Sequence, residues 1–305
     1  MDQDPARPAG PPTETIRPDW AGIDELPTAD LLALINAEDR TIPAAVAGQL
    51  TEIAAVVDAV AARLADGGRL IYAGAGTAGR LGVLDAAECP PTFGTEPGLV
   101  VGLIAGGPTA VAAAAEGAED RPELAKADLA ALGLTPADAV VGVSASGRTP
   151  YAVAAVRTAR KAGALAVGLA CNRGSALVAE ADLGIEVVVG PEVLAGSTRL
   201  KAGTAQKLVL NMLSTAVMIR LGRTYGNLMV DMRATNAKLR ERAQRIVAEA
   251  TGADDATVRR ALTATDGRAK DAILAVLADV DAPTAARLLA AHGGRLRDAL
   301  REAPH

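Results

Sequence analysis

The sequence predicts an α/β fold, a parallel sheet sandwiched by helices, followed by a small all-helical C-terminal region. Short β-branched runs at 69–75, 99–105, 139–145, 164–170 and 184–189 alternate with helix-compatible segments at 78–87, 108–118, 121–132 and 150–162. The runs are apolar on both faces, the mark of parallel strands covered on both sides. Beyond the last run the pattern turns helical and stays so.

Residues 1–22 are rich in proline and polar side chains, which predicts a disordered tail. They contain no apolar core of a secretory signal. Order is expected from residue 23, with a short helix around 31–36. Pro43 suits the first turn of a longer helix, along which Val46, Leu50, Ile53, Val57, Val60 and Leu64 recur at spacings of four and three. Gly67 and Gly68 should stop it. Residues 199–222 read as a helix apolar nearly all round, buried in the domain or in a subunit interface. A second helix is expected over 227–249, with Leu228, Met232, Leu239, Ala243 and Ile246 on one stripe. From about 251, short helices punctuated by Gly252, Gly267, Pro283 and Gly293-Gly294 predict a helical module of roughly 50 residues. The expected organisation is therefore a tail at 1–22, an α/β domain with N-terminal helices at 23–226, and a helical region at 227–305.

Composition narrows the function. Of 305 residues, 50% are hydrophobic, so a sizeable core can form, but only 2% are aromatic. That scarcity argues against a base-stacking platform for nucleic acid. The net charge of −5 comes from interspersed charges with no basic stripe, which points to a small ligand and away from polyanions and membrane surfaces. The stretch 208–219, LVLNMLSTAVMI, is too short to span a bilayer. Two cysteines, Cys89 and Cys171, lie in different segments without pairing logic, as expected of a reducing, cytoplasmic location.

In parallel sheets ligands bind beyond the carboxyl ends of the strands, so the loops after Ala73, Ile104 and Val143 matter most. GAGTAGR (74–80) matches G-x-G-x-x-G between strand and helix. A dinucleotide site would also need a carboxylate at the end of the second strand, and that strand ends in Ala105-Gly106-Gly107-Pro108. The glycines are then either a tight turn or, with Thr77, the lining of a sugar or phosphate pocket. SASGRT (144–149) sets Ser144, Ser146 and Thr149 around Gly147 before Pro150 opens a helix. Hydroxyls, N–H groups and the helix dipole can together hold a dianion there; the plainer reading is a serine cap. Asp85, Glu88, Glu116, Glu119 and Asp120 are equally available as acid or base, and spacing does not select among them. His292 and His305 lie far along the chain and no Cys/His spacing suggests zinc. Cys89 reads as a small buried thiol. Arg199 and Lys201 either touch substrate or pair at a helix start.

Taken together, GAGTAGRLGVLDAAECPPTFG, LVVGLIAGG, EGAED, VVGVSASGRTPYAVAA, STRLKAGTAQKLVLNMLSTAVMI, NLMVDMRATNAKL and AAHGGRLRDAL closely resemble, in this order, the N-acetylmuramic acid 6-phosphate etherase family of the sugar isomerase (SIS) superfamily. The similarity runs from about Thr28 to the C-terminus. It implies a SIS-type domain, a small helical module similar to UBA domains, and a homodimer without metal or cofactor that serves peptidoglycan recycling. The implied reaction takes N-acetylmuramic acid 6-phosphate and water to N-acetylglucosamine 6-phosphate and D-lactate. The family's catalytic glutamates fall on Glu88 and Glu119, and its phosphate loop on Ser144, Ser146, Gly147 and Thr149. Ala78 and Ala87 stand where serines are expected. Two other activities share this superfamily: a non-enzymatic sugar-phosphate sensor, which would need the hydroxyl loop but neither glutamate, and an aldose–ketose isomerase.

Overall fold

A computed structural model describes residues 12–232 and 237–303. They divide into two compact units. One holds the residues up to Ala87 together with Leu99–Ser214; the other holds Glu88–Gly98 and the residues from Thr215 on. The division expected near 226 therefore falls inside the second unit. Composition does not change at Thr215, which lies within a helix, so nothing local marks the boundary.

The first unit opens with α1 (Thr28–Asp39), α2 (Ile42–Ala47) and α3 (Leu50–Ala65). The helix expected over 43–65 is thus broken at Gly48-Gln49; of its apolar stripe Val46, Ile53, Val57, Val60 and Leu64 are buried, while Leu50 is exposed. Then come β1 (Leu70–Gly74), α4 (Gly76–Phe93), β2 (Val100–Ile104), α5 (Pro122–Ala131), β3 (Ala139–Ser144), α6 (Pro150–Lys161), β4 (Leu165–Ala170), α7 (Ala176–Ala179), β5 (Leu183–Glu186) and α8 (Lys201–Arg220). The five strands are parallel in the order β2-β1-β3-β4-β5. All residues of β1 and β3 are buried. Five strands thus lie where five runs were read, and they form the parallel sheet that the pattern predicts.

The chain winds from β1 outward to β2, then returns past β1 to β3 and winds the other way. That reversal makes the carboxyl ends of β1 and β3 the switch point where such sheets bind ligands. The pairing of Gly74 with both Ile104 and Val143 sets three strand ends level there.

Three further expectations change in this unit. The helix read over 108–118 is only two 3-10 turns, Pro108–Val111 and Ala118–Asp120. Gly106, Gly107 and Gly117 adopt positive φ and break the α-helical path. The tail read as disordered is ordered over 12–22, in 3-10 turns with Thr13 fully buried. Asn172 explains this: its Nδ2 donates to Thr13 Oγ1 at 3.2 Å and to the Ala145 carbonyl at 2.8 Å. Residues 1–11 lie outside the described residues. Finally, α4 does not stop before Glu88. It runs on to Phe93 with Pro90 and Pro91 in its last turn; proline's fixed φ is itself helical, and the helix ends two residues after Pro91.

Two polar networks hold this unit. Asp85 is buried and accepts from Tyr72 Oη at 2.9 Å, Asn211 Nδ2 at 2.7 Å and Ser214 Oγ at 3.0 Å, joining α4 to β1 and α8. Burial raises its pKa against these donors. One of the five carboxylates open at the sequence level is thus engaged in holding the fold. Ahead of β1 and β3, Arg69 Nη2 and Nε donate to Asp138 at 2.7 and 3.0 Å, and the amides of Arg69 and Thr135 donate at 2.9 and 2.8 Å. Burial alone would raise Asp138, but these four bonds hold it down at about 2.

The sign of the linkage follows. The unfolded Asp138 binds its proton near pH 4 and the folded one near 2, so the stabilisation is complete above pH 4 and disappears as pH falls through 2. Its size is about 2 kcal/mol at neutral pH. Asp138→Asn should lower the melting temperature at pH 7 and flatten the loss of stability between pH 4 and pH 2. Parallel acid limbs for both proteins in thermal scans would disprove this role.

In the second unit, α9 (Ala237–Thr251), α10 (Asp255–Ala264), α11 (Ala269–Leu277), α12 (Ala282–Ala291) and α13 (Leu296–Glu302) follow one another. The helix read over 227–249 begins only at Ala237. Leu228 instead pairs with Tyr225 in an isolated bridge, and residues 233–236 lie outside the described residues. Asp254 and Asp281 cap α10 and α12 by accepting from the amides of Thr257 and Thr284 at 2.7 and 2.8 Å. Val247, Ala272, Ile273, Leu274 and Ala285 form the centre of its core. Buried Lys270 spends all three protons on Asp231 Oδ2 and the carbonyls of Gly222 and Gly294.

Candidate functional site

At the switch point a cavity of about 420 Å³ opens in the first unit. Ala75, Gly76, Thr77 and Ala78 line it from the β1–α4 turn, and Ser144, Ser146, Arg148 and Thr149 from the β3–α6 loop. Glu119 and Asp120, Thr198, Gln206 and Glu14 complete it.

The β1–α4 turn owes its glycines to packing. A Cβ on Gly79 would sit 2.7 Å from the Gly74 carbonyl oxygen and equally close to Ile104 Cγ1. Only glycine lets α4 start so near the end of β1. The G-x-G-x-x-G spacing is therefore accounted for without a dinucleotide, and Thr77 is left half-buried at the cavity wall.

The β3–α6 loop is held from behind. The Ala145 carbonyl accepts from the Cys171 amide at 3.0 Å and from Asn172 Nδ2 at 2.8 Å, while the Gly147 carbonyl accepts from the Leu177 amide at 2.9 Å. Gly147 has φ +66°, and a Cβ there would lie 2.3 Å from Ser175 Cβ. Its glycine is thus structural, and the loop's hydroxyls face one another in front of it. Ser144 Oγ lies 2.8 Å from Thr149 Oγ1 and 3.3 Å from Ser146 Oγ, and accepts from the Gly147 amide at 3.0 Å. The N-cap residue of α6, Thr149, makes no capping hydrogen bond; its hydroxyl turns to Ser144 instead. The serine-cap reading therefore does not describe these residues. Three hydroxyls and a helix N-terminus converge on one wall of the cavity, a setting suited to a phosphate ester.

Glu119 sits in the 3-10 turn Ala118–Asp120, exposed, and lines both this cavity and a second one of about 170 Å³. Arg80 and Glu116 line the smaller space, with Arg80 Nε donating to the Val111 carbonyl at 2.9 Å. Glu88 is an exposed residue of α4 within the second unit. Lys201, left open between substrate contact and pairing, is buried and ion-paired to Glu38 at 2.7 Å. Glu192 accepts from the amides of Lys201 and Ala202, both at 2.9 Å, and so caps α8.

Both thiols are buried, and burial, with Glu192 nearby, pushes Cys171 up to about 12. His292 Nε2 lies 3.4 Å from Glu302, and His305 is outside the described residues. Among the described residues no three His, Cys, Asp or Glu side chains group as a metal site would need, and no single helix is long and apolar enough to cross a membrane. Sequence reasoning missed Glu14, Thr198 and Gln206. Only Gln206 gave a signal, a polar amide early in an otherwise apolar helix.

The chain carries SIS-domain signatures over this parallel sheet and its loops. The signature of the glucokinase regulatory protein N-terminal SIS domain matches residues 52–160, and that of the SIS domain matches 120–216. Over 88% of its length the chain is 73% identical to the N-acetylmuramic acid 6-phosphate etherase of Streptomyces coelicolor, covering 86% of that protein. The etherases of Streptomyces avermitilis and Rubrobacter xylanophilus are 69% and 60% identical over the same 88%, with 86% and 89% of their lengths covered. The chain belongs to the N-acetylmuramic acid 6-phosphate etherase family.

Proposed function

We propose that this protein is a lyase that converts N-acetylmuramic acid 6-phosphate and water to N-acetylglucosamine 6-phosphate and D-lactate, in the cytoplasm, in amino-sugar catabolism and cell-wall recycling. The observation that supports the reading is that Glu119 lines the same cavity as the Ser144, Ser146 and Thr149 hydroxyls. A sensor of sugar phosphates needs only the hydroxyls.

The chemistry explains why both are needed. An alkoxide is a poor leaving group, so direct hydrolysis of a dialkyl ether is slow. Opening of the sugar ring gives a C1 aldehyde that acidifies the hydrogen on C2. Glu119 takes that proton, and its electrons form the C2–C3 double bond as the C3–O bond breaks. Glu88 delivers a proton to the departing lactyl oxygen, then takes one from the water that adds at C3. C2 regains a proton from Glu119. The phosphate, held by Ser144, Ser146, Gly147 and Thr149 with Thr77 beside it, anchors the sugar away from the reacting carbons, so that binding energy orients them.

Purified protein given N-acetylmuramate 6-phosphate should release D-lactate, and unphosphorylated N-acetylmuramate should be a poor substrate. Ser146→Ala should weaken substrate binding by about 1–3 kcal/mol, the worth of a hydrogen bond to a charged group. Equal turnover of both sugars would remove the phosphate anchor from the account. The chain acts as a homodimer in this reading, with exposed Leu84 and Met212 on α4 and α8 as apolar surface for a second copy. Light scattering should give twice the chain mass; an active monomer would rule the dimer out.

A further inference from the structure

Among the cavity groups that the proposed mechanism does not use, Gln206 stands out. Gln206 lies in the second turn of α8, lines the cavity and is 1% exposed. Its side-chain Nε2 is buried and has no hydrogen-bond partner among the described residues. Buried donors are almost always paired, because an amide stripped of water without a new acceptor is costly. The helix is brought close to the site on purpose: Gly203, one turn earlier, would place a Cβ 3.3 Å from Thr77 Cγ2. An orphaned donor carried to a ligand cavity on a rigid helix has its acceptor in the ligand.

The chemistry of the donor selects the acceptor. A phosphate dianion already has the hydroxyl loop. A carboxylate has a better-matched partner in the guanidinium of Arg148, which lines the same cavity. Sugar hydroxyls both donate and accept, and find partners among the carboxylates of Glu14, Glu119 and Asp120 that line the same cavity. A carbonyl oxygen accepts only, is neutral, and needs one donor. We infer that Gln206 is a specificity-determining residue whose Nε2 donates to the acetamido carbonyl at C2 of the sugar, so that the cavity selects N-acetylated sugar phosphates. This rests on the etherase reading. The contact also fixes the orientation of C2, the carbon from which Glu119 removes a proton.

The test compares N-acetylmuramate 6-phosphate with its analogue bearing a hydroxyl in place of the acetamido group. Wild type should prefer the former. Gln206→Leu and Gln206→Met should lower kcat/KM for the acetamido substrate by roughly 5–150-fold, the effect of leaving a carbonyl unpaired. Both should change the hydroxyl analogue less than about threefold, a smaller effect than the loss of a full hydrogen bond, and so erase the preference. Two variants guard against one that fails to fold. Equal losses on both compounds would mean a packing role and overturn the inference, as would no loss at all. Calorimetric binding of N-acetylglucosamine 6-phosphate against glucose 6-phosphate needs no turnover. It tests Gln206 even if wild type releases no lactate, which would sink the etherase reading instead.

Discussion

Glu119→Gln is expected to abolish lactate release and, in D₂O, the exchange of the C2 hydrogen together. Glu119 is the carboxylate shared by the two spaces beyond the carboxyl ends of β1 and β2. Proton removal from C2 follows ring opening and precedes every bond change at C3, so lactate cannot leave without the base. A positioned base typically contributes about 10²–10⁴-fold. The amide keeps the shape and the exposed setting of Glu119, so folding should be unchanged by circular dichroism. Exchange that survives in this variant would take the C2 base from Glu119 and assign it elsewhere.

Glu88→Gln is expected to separate the two steps. Lactate release should fall by a similar factor of about 10²–10⁴, because the lactyl oxygen would leave without a proton. Exchange at C2 precedes departure and should persist. Glu88 is exposed on α4, so its replacement removes no buried contact and the loss reports on chemistry. Exchange lost in Glu88→Gln but kept in Glu119→Gln would exchange the two roles and leave the reaction class standing.

The sheet was legible in the sequence because five β-branched runs, apolar on both faces, can only be parallel strands with helices between them. The hydroxyl loop was legible because three hydroxyls around a glycine before Pro150 exceed what a cap requires. What escaped depended on contacts distant along the chain. Thr13 orders the N-terminal segment by pairing with Asn172, 159 residues away, and so carries Glu14 to the cavity. Asp85, Glu88, Glu116, Glu119 and Asp120 were chemically equivalent in the sequence. Tyr72, Asn211 and Ser214 take Asp85 out of that set. The turn Ala118–Asp120 brings Glu119 and Asp120 to the same wall, and the assignment between those two comes from family resemblance. Gln206 was hidden in the opposite sense. Its polar amide stands early in a helix that reads as apolar nearly all round, and the absence of a partner for it among the described residues is what gives it a role.

The elimination itself is tested most directly by running the reaction in H₂¹⁸O and locating the label by mass spectrometry. The account predicts one ¹⁸O at C3 of N-acetylglucosamine 6-phosphate and none in lactate, since the C3–O bond breaks and water adds at C3. Label in the lactate would mean cleavage on the lactyl side of the ether, and elimination from C3 would be contradicted.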